Sequence, residues 1–199
     1  EVIARILSVR DDFEKDFFLP SVKRRVRLID DFRKGDLTEN DLPRDLLTLM
    51  YLHWNDEWED ELPLQESTLY TVASSQTTTH AIPHVIMHLN EWFQEHPEDY
   101  EKRFDREFLK RAAHEAMRLH LPAPALLRIA LRDVTLNNGE MITAGERVAC
   151  LIAPANRDID VFGEDACEYD LHREIPDVKP WGFAFGGGEH SCIGRTLVT

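Results

Sequence analysis

Apolar residues recur at helical spacing through most of the 199-residue chain. Residues 1–55 alternate helical patterns with polar breaks. Lys34-Gly35-Asp36 closes one helix, since glycine readily takes the left-handed conformation that ends helices. From Asp41 to Trp54, Leu42, Leu46, Leu47, Leu49, Met50 and Leu52 predict a short packed helix. The acidic run Asp56-Glu57-Trp58-Glu59-Asp60-Glu61 reads as a solvated turn, with a cation site as the functional alternative. Ser67 to Asn90 contains no Asp, Glu, Lys or Arg. The stretch is too rich in Thr, Ser and His to span a membrane. Pro63 suits a first helical turn, so a long helix over about 64–93 is predicted. A helix without charge on any face should be buried on most sides. Pro83 should kink it.

Asp105 can cap a helix over about 106–119, where Leu109, Ala112, Ala113, Ala116 and Met117 share one face. Pro122 and Pro124 forbid its continuation. Leu126 to Leu136 reads as extended, Asn137-Asn138-Gly139 as a hairpin turn, and Glu140 to Thr143 as a short strand. Residues 153–182 read mostly as loop, with Asn156-Arg157-Asp158 in a turn, and a last helix starts near Ile193. The fold class is mainly α with a small β-sheet.

Composition narrows the function. Charged residues make up 30% and apolar ones 43%, as in soluble globular proteins. A net charge of -14 excludes nucleic acid and disfavours an anionic membrane surface. Cys150, Cys167 and Cys192 form no disulfide framework and no CxxC pair, which points to a reducing, cytoplasmic location. Residue 1 is Glu, no signal peptide follows, and no membrane segment is evident. Thr199 stands inside the first turns of a helix. Both ends therefore read as cuts, and a targeting segment could lie outside the chain.

The densest chemistry lies in Phe185-Gly186-Gly187-Gly188-Glu189-His190-Ser191-Cys192-Ile193-Gly194. Thiolate ligation of a haem iron needs a deprotonated sulfur, although a free thiol has a pKa of about 8.5. Iron and the N–H groups of a helix start favour the anion. Glycines let the backbone approach the sulfur and a flat macrocycle. A nearby aromatic shields the sulfur from water. Cys192, the glycines, Phe185 and the following helix meet these needs. Two alternatives stay open on chemistry alone. A Gly-rich loop before a helix can bind phosphate, although no GK[ST] is present. A lone Cys near a helix start can be a buried hydrophobe.

The pattern Phe-x-x-Gly-x-x-x-Cys-x-Gly resembles the haem loop of the cytochrome P450 family at every defined position. The resemblance implies that Cys192 ligates iron, His190 bonds a haem propionate and Phe185 packs beside the sulfur. Gly186, Ile193 and Gly194 would line the cofactor. Glu115-Ala116-Met117-Arg118 resembles the family's Glu-x-x-Arg pair, and Arg173 its third member. Alone, the pair would read as an exposed ion pair. Arg128 stands where the family places a propionate-binding Arg, and its plain reading is an outward residue on an edge strand. Ala155-Asn156-Arg157-Asp158 also resembles the family.

By the same resemblance, Ala73-Ser74-Ser75-Gln76-Thr77-Thr78 matches the middle of the oxygen-activating helix. Ala73 would face the haem, and Thr77 would help deliver protons to dioxygen. Gln76 replaces an acid, and an amide cannot cycle a proton. The plain reading of these hydroxyls is back-bonding to carbonyls four residues earlier. His80, His84 and His88 fall at i, i+4, i+8, which is metal-ligand spacing on a straight helix. Pro83 would disturb it, so packed or solvated histidines are expected.

Residues 1–199 then form a partial cytochrome P450 domain. The implied protein binds haem b and takes electrons from a ferredoxin-type or flavoprotein donor. It oxygenates an apolar small molecule, consistent with the apolar segment Pro122 to Leu127. Alternatives are a peroxygenase, an isomerase or dehydratase, and a non-catalytic haem-binding module.

Overall fold

The computed structural model describes residues 2–174 and 177–198. Glu1 and Thr199, on which the reading of the chain ends rests, lie outside the described residues. Helices dominate, joined by short antiparallel strand pairs. The chain divides into two compact units, Glu1–Ala73 and Ser74–Thr199, and the boundary falls inside one long helix.

In the first unit, α1 (Val2–Phe13) passes through a π turn, Glu14–Phe18, into α2 (Leu19–Lys34). Pro20 has no N–H for the carbonyl four residues back, and the wider turn lies where that bond is missing. Gly35, at φ 87°, ends α2, and the Asp36 N–H reaches the Asp31 carbonyl at 3.0 Å. The helix expected from Asp41 is shorter than its apolar pattern suggested. Leu42 precedes Pro43 and is extended, because proline disfavours the helical region for its predecessor. The chain therefore makes a 3-10 turn at Glu39–Asp41 and starts α3 (Leu46–Leu52) at Asp45. The Asp45 carboxylate caps α3 by accepting from Thr48 N at 2.8 Å. It also accepts from Arg25 Nε of α2 at 2.9 Å, so one side chain starts a helix and ties it to its neighbour.

The boundary helix, α4 (Leu62–Glu95), runs on through Pro83. Its hydroxyls back-bond: Thr68 to Leu64 O, Thr71 to Ser67 O and Thr79 to Ser75 O, at 2.7–2.8 Å. Its charge-free stretch, expected to be buried in the middle of the parent protein, is left uncovered by the described residues. Leu69, Val72, Ile82 and Ile86 are all exposed. Freedom from charge permits burial but does not supply a facing surface, and the described residues bring none to these positions.

The second unit has its core where the end of α4 meets α5 (Arg106–Leu119). Trp92, Phe108, Ala112 and Leu171 are buried together, with Leu89, Phe93 and Tyr169 against them. Asp105 caps α5 by accepting from Phe108 N at 2.8 Å. Beyond α5, β1 (Ala125–Ile129) pairs antiparallel with β4 (Arg147–Leu151), and β2 (Val134–Thr135) pairs with β3 (Met141–Ile142). The expected single extended run from Leu126 is thus broken, and β4 carries no strong sequence mark. Gly139, at φ 89°, occupies the expected hairpin turn. Short helices α6 (Ile152–Ala155) and α7 (Ile159–Phe162) follow, and α8 (Arg195–Val198) starts two residues later than expected.

Asp99 shows how the second unit holds a buried charge. It is 1% exposed and accepts from Trp92 Nε1 (2.9 Å) and Lys102 Nζ (2.7 Å), with His172 Nε2 at 3.0 Å. Burial pushes its carboxyl up, but the Lys102, Trp92 and His172 hydrogen bonds outweigh that and hold it at about 2. The folded value lies below the unfolded one, so its contribution is full above about pH 4 and is lost toward pH 2. Asp99→Asn should cost about 1–3 kcal/mol at pH 7 in urea unfolding. It should also flatten the loss of stability between pH 4 and 2.

Candidate functional site

The glycine-rich loop is shaped by its own backbone. Gly186 N donates to Phe183 O at 2.8 Å, and Ser191 N to Gly188 O at 3.2 Å. Cys192 N donates to Phe185 O at 2.8 Å. That bond closes the loop and brings the cysteine back beside the phenylalanine. Gly186 (φ 67°) and Gly188 (φ 62°) take a conformation that other residues rarely adopt. Gly194 is different: a Cβ there would stand 3.6 Å from Cys192 Sγ, an ordinary contact. Cys192 is exposed and free of any disulfide, while Phe185 is half-buried. The Phe185 ring meets Trp181 edge-on at 5.6 Å, and Trp181 meets His114 at 4.7 Å. His114 is buried, and burial, with Lys110 nearby, pushes its imidazole down to about 4.

Behind the loop lies a desolvated charge cluster. Arg118 has no exposed surface. It grips Glu115 with two bonds of 2.7 Å each. Its other N–H groups go to the carbonyls of Asn156 and Ala166 (2.6 Å each) and Glu168 (3.1 Å). Glu115 also accepts from Arg173 Nε at 3.1 Å and from Asp170 N at 3.2 Å. Arg173 donates in turn to Phe162 O and to the Asp165 carboxylate. These bonds, after the cost of its own burial, push the Arg173 guanidinium above its ordinary value. The structure thus brings Glu115, Arg118 and Arg173 together.

Asn156 is a residue whose role the sequence did not reveal. It is fully buried between α6 and α7. Its Nδ2 donates to Arg118 O (3.1 Å) and Trp181 O (3.3 Å), and its Oδ1 accepts from Phe183 N (2.8 Å). One amide therefore joins the end of α5 to the start of the loop. Gly182 makes this possible, since a Cβ there would sit 2.3 Å from Asn156 Oδ1. The only sequence signal was the Asn-Arg-Asp turn.

The other expected site residues are placed as follows. Arg128 is exposed on β1, opposite Val148, and donates to Leu127 O at 2.8 Å. His190 and Ile193 are exposed. Thr77 and Gln76 are exposed on α4 in the second unit, whereas Ala73 belongs to the first. Among the described residues, no group of three or more His, Cys, Asp or Glu is arranged to hold a metal ion. No described helix is long and apolar enough to cross a membrane.

The Cytochrome P450 family model matches residues 23–198. The chain belongs to the cytochrome P450 family. It is 37% identical over 132 residues to steroid C26-monooxygenase of Rhodococcus jostii (strain RHA1), covering 65% of this chain and 26% of that protein. It is 34% identical over 132 residues to linalool 8-monooxygenase of Pseudomonas putida, covering 66% of this chain and 30% of that protein. The structure of CYP109E1 from Bacillus megaterium in complex with testosterone matches with a TM-score of 0.68 and 28% identity. That match covers 96% of this chain and 48% of that one. The chain thus spans less than half the length of these relatives.

Membership of the P450 family implies a haem-iron cofactor. The residues present fit one. Cys192, an exposed and unbridged sulfur on a closed turn, would be the residue to hold its iron.

Arg118→Leu should cost about 3–5 kcal/mol, read by urea unfolding, because it leaves the interior Glu115 short of its bidentate partner and the Asn156 and Ala166 carbonyls without that donor. Gly182→Ala should also destabilise, through the Cβ contact with Asn156. Asn156→Ala in that background should recover part of the loss, with a coupling of about 1–3 kcal/mol in the double-mutant cycle.

Proposed function

We propose that the chain is part of a haem-thiolate monooxygenase holding haem b, with Cys192 as the axial ligand. The observation that carries this reading is the loop bond that returns Cys192 to Phe185. Haem, when bound, supplies the centre at which dioxygen is split and one oxygen atom passes to an organic substrate. The chain's residues do the rest. Phe185, met edge-on by Trp181 and tied to Cys192 by the loop bond, would limit water at the sulfur once a cofactor is bound. His190 and Arg128 are exposed cations or donors suited to the two propionates. Glu115, Arg118 and Arg173 hold the segment that supports the loop. Thr77 offers a hydroxyl for proton delivery.

An apolar substrate is supported by the segment Pro122 to Leu127 and by the names of two relatives, which act on a steroid and on linalool. Electrons would come from a ferredoxin-type or flavoprotein donor.

Gln76 favours a second reading. Its amide cannot lose and regain a proton as a carboxyl does, which suits a peroxygenase, or an isomerase or dehydratase, without a dioxygen relay. Turnover of the haem-loaded protein with reductase and dioxygen, compared with peroxide alone, separates the readings. The monooxygenase reading expects dependence on both reductase and dioxygen. Gln76→Glu should then speed dioxygen-driven turnover and leave peroxide-driven turnover unchanged. Turnover with peroxide alone supports the second reading. Haem and substrate binding without turnover under any oxidant indicates a binding module.

A further inference from the structure

Four histidines in the second unit have no part in the haem site: His80, His84 and His88 on α4, and His120 immediately after α5. His88 Nε2 and His120 Nε2 lie 2.7 Å apart. The His120 ring stacks on His84, with centroids 4.2 Å apart and planes 2° from parallel. Tyr169 stacks on His88 at 4.5 Å. His80 follows beyond His84, 4.9 Å ring to ring.

Two ring nitrogens at this distance need one proton between them. Two lone pairs would repel, and two N–H groups would collide. Glu91 sets the direction. Its Oε2 is 3.2 Å from His88 Nδ1, which places a proton on that nitrogen and leaves Nε2 as the acceptor. His120 Nε2 is then the donor. A shared metal ion is the poorer explanation. The ring-plane lone pairs of stacked His84 and His120 run in parallel planes and cannot converge on one centre.

We propose that His88 and His120 form a proton-operated latch between α4 and the segment after α5, closed while they share one proton between their Nε2 atoms and weakened when His120 takes up a further proton. The latch fastens the C-terminal part of α4 to Leu121–Ala125, which leads into β1. It does not require haem.

The groups around the pair oppose a charge on His120. On α4, His80 and His84 add positive charge when protonated, and Glu91 faces only the far nitrogen of His88. After α6, Arg157 donates to Leu119 O beside His120. After α7, Tyr169 is held neutral, because burial raises its hydroxyl above the ordinary value. Burial, then His84, His88, Arg157 and His80, hold His120 down at about 4. An opened latch leaves His120 with an ordinary value of about 6.5 and binds more protons between those limits. The closed state's advantage is therefore full above about pH 6.5 and is lost as pH falls toward 4.

The test is histidine ring NMR of the chain from pH 7.5 to 4, with hydrogen exchange read as protection factors for residues 84–92 and 119–126. His120 should titrate far below an exposed histidine. Protection in both segments should fall together, by up to about tenfold per pH unit. His120→Phe keeps a ring on His84 but removes the shared proton, and it should abolish that pH dependence. Should this variant not fold, His88→Phe should give the same result. His114 stays in both variants, so acid loosening that survives them belongs to His114 and overturns the latch. An ordinary His120 titration with unchanged protection also overturns it.

Discussion

The guanidinium of Arg118 is the constraint on which the second unit depends. It is a charge with no exposed surface, and such a charge is tolerable only when paired and fully hydrogen-bonded. Its acceptors come from separate stretches: Glu115 one turn earlier on α5, and the carbonyls of Asn156, Ala166 and Glu168. A segment with little regular structure is thereby held against α5, and Arg173 returns to the same carboxylate from its far end. Asn156 extends this order to the loop by fixing Trp181 and Phe183. The cysteine is reached through that chain of contacts, with no charged residue needed beside the sulfur.

This arrangement separates support from chemistry. The buried cluster supplies rigidity, while Cys192, His190 and Arg128 remain exposed. The proposed histidine latch sits outside both parts, between α4 and the segment entering β1.

Much of this was legible in the sequence where one residue type has one physical use. Asp105 caps α5, and Gly35 ends α2. The i, i+3 spacing of Glu115 and Arg118 places both on one helix face. Asn156 was not legible, because its bonds go to carbonyls and an amide that no spacing marks. The pairing of β1 with β4 was hidden for a similar reason: its register, Ala125 opposite Leu151, spans a whole inserted hairpin. The charge-free helix was read as buried within the parent protein, and the described residues leave much of it uncovered. Burial excludes charge, but absence of charge does not create burial, and Leu69 and Ile86 are exposed.

The central claim is that Cys192 is a thiolate ligand to haem iron. The direct measurement is the absorption spectrum of the haem-loaded protein, reduced and under carbon monoxide. A strongly red-shifted Soret band, lost in Cys192→Ser and kept in Cys150→Ser and Cys167→Ser, is the predicted result. Properly loaded protein without that band, or a band that survives Cys192→Ser, would contradict the account.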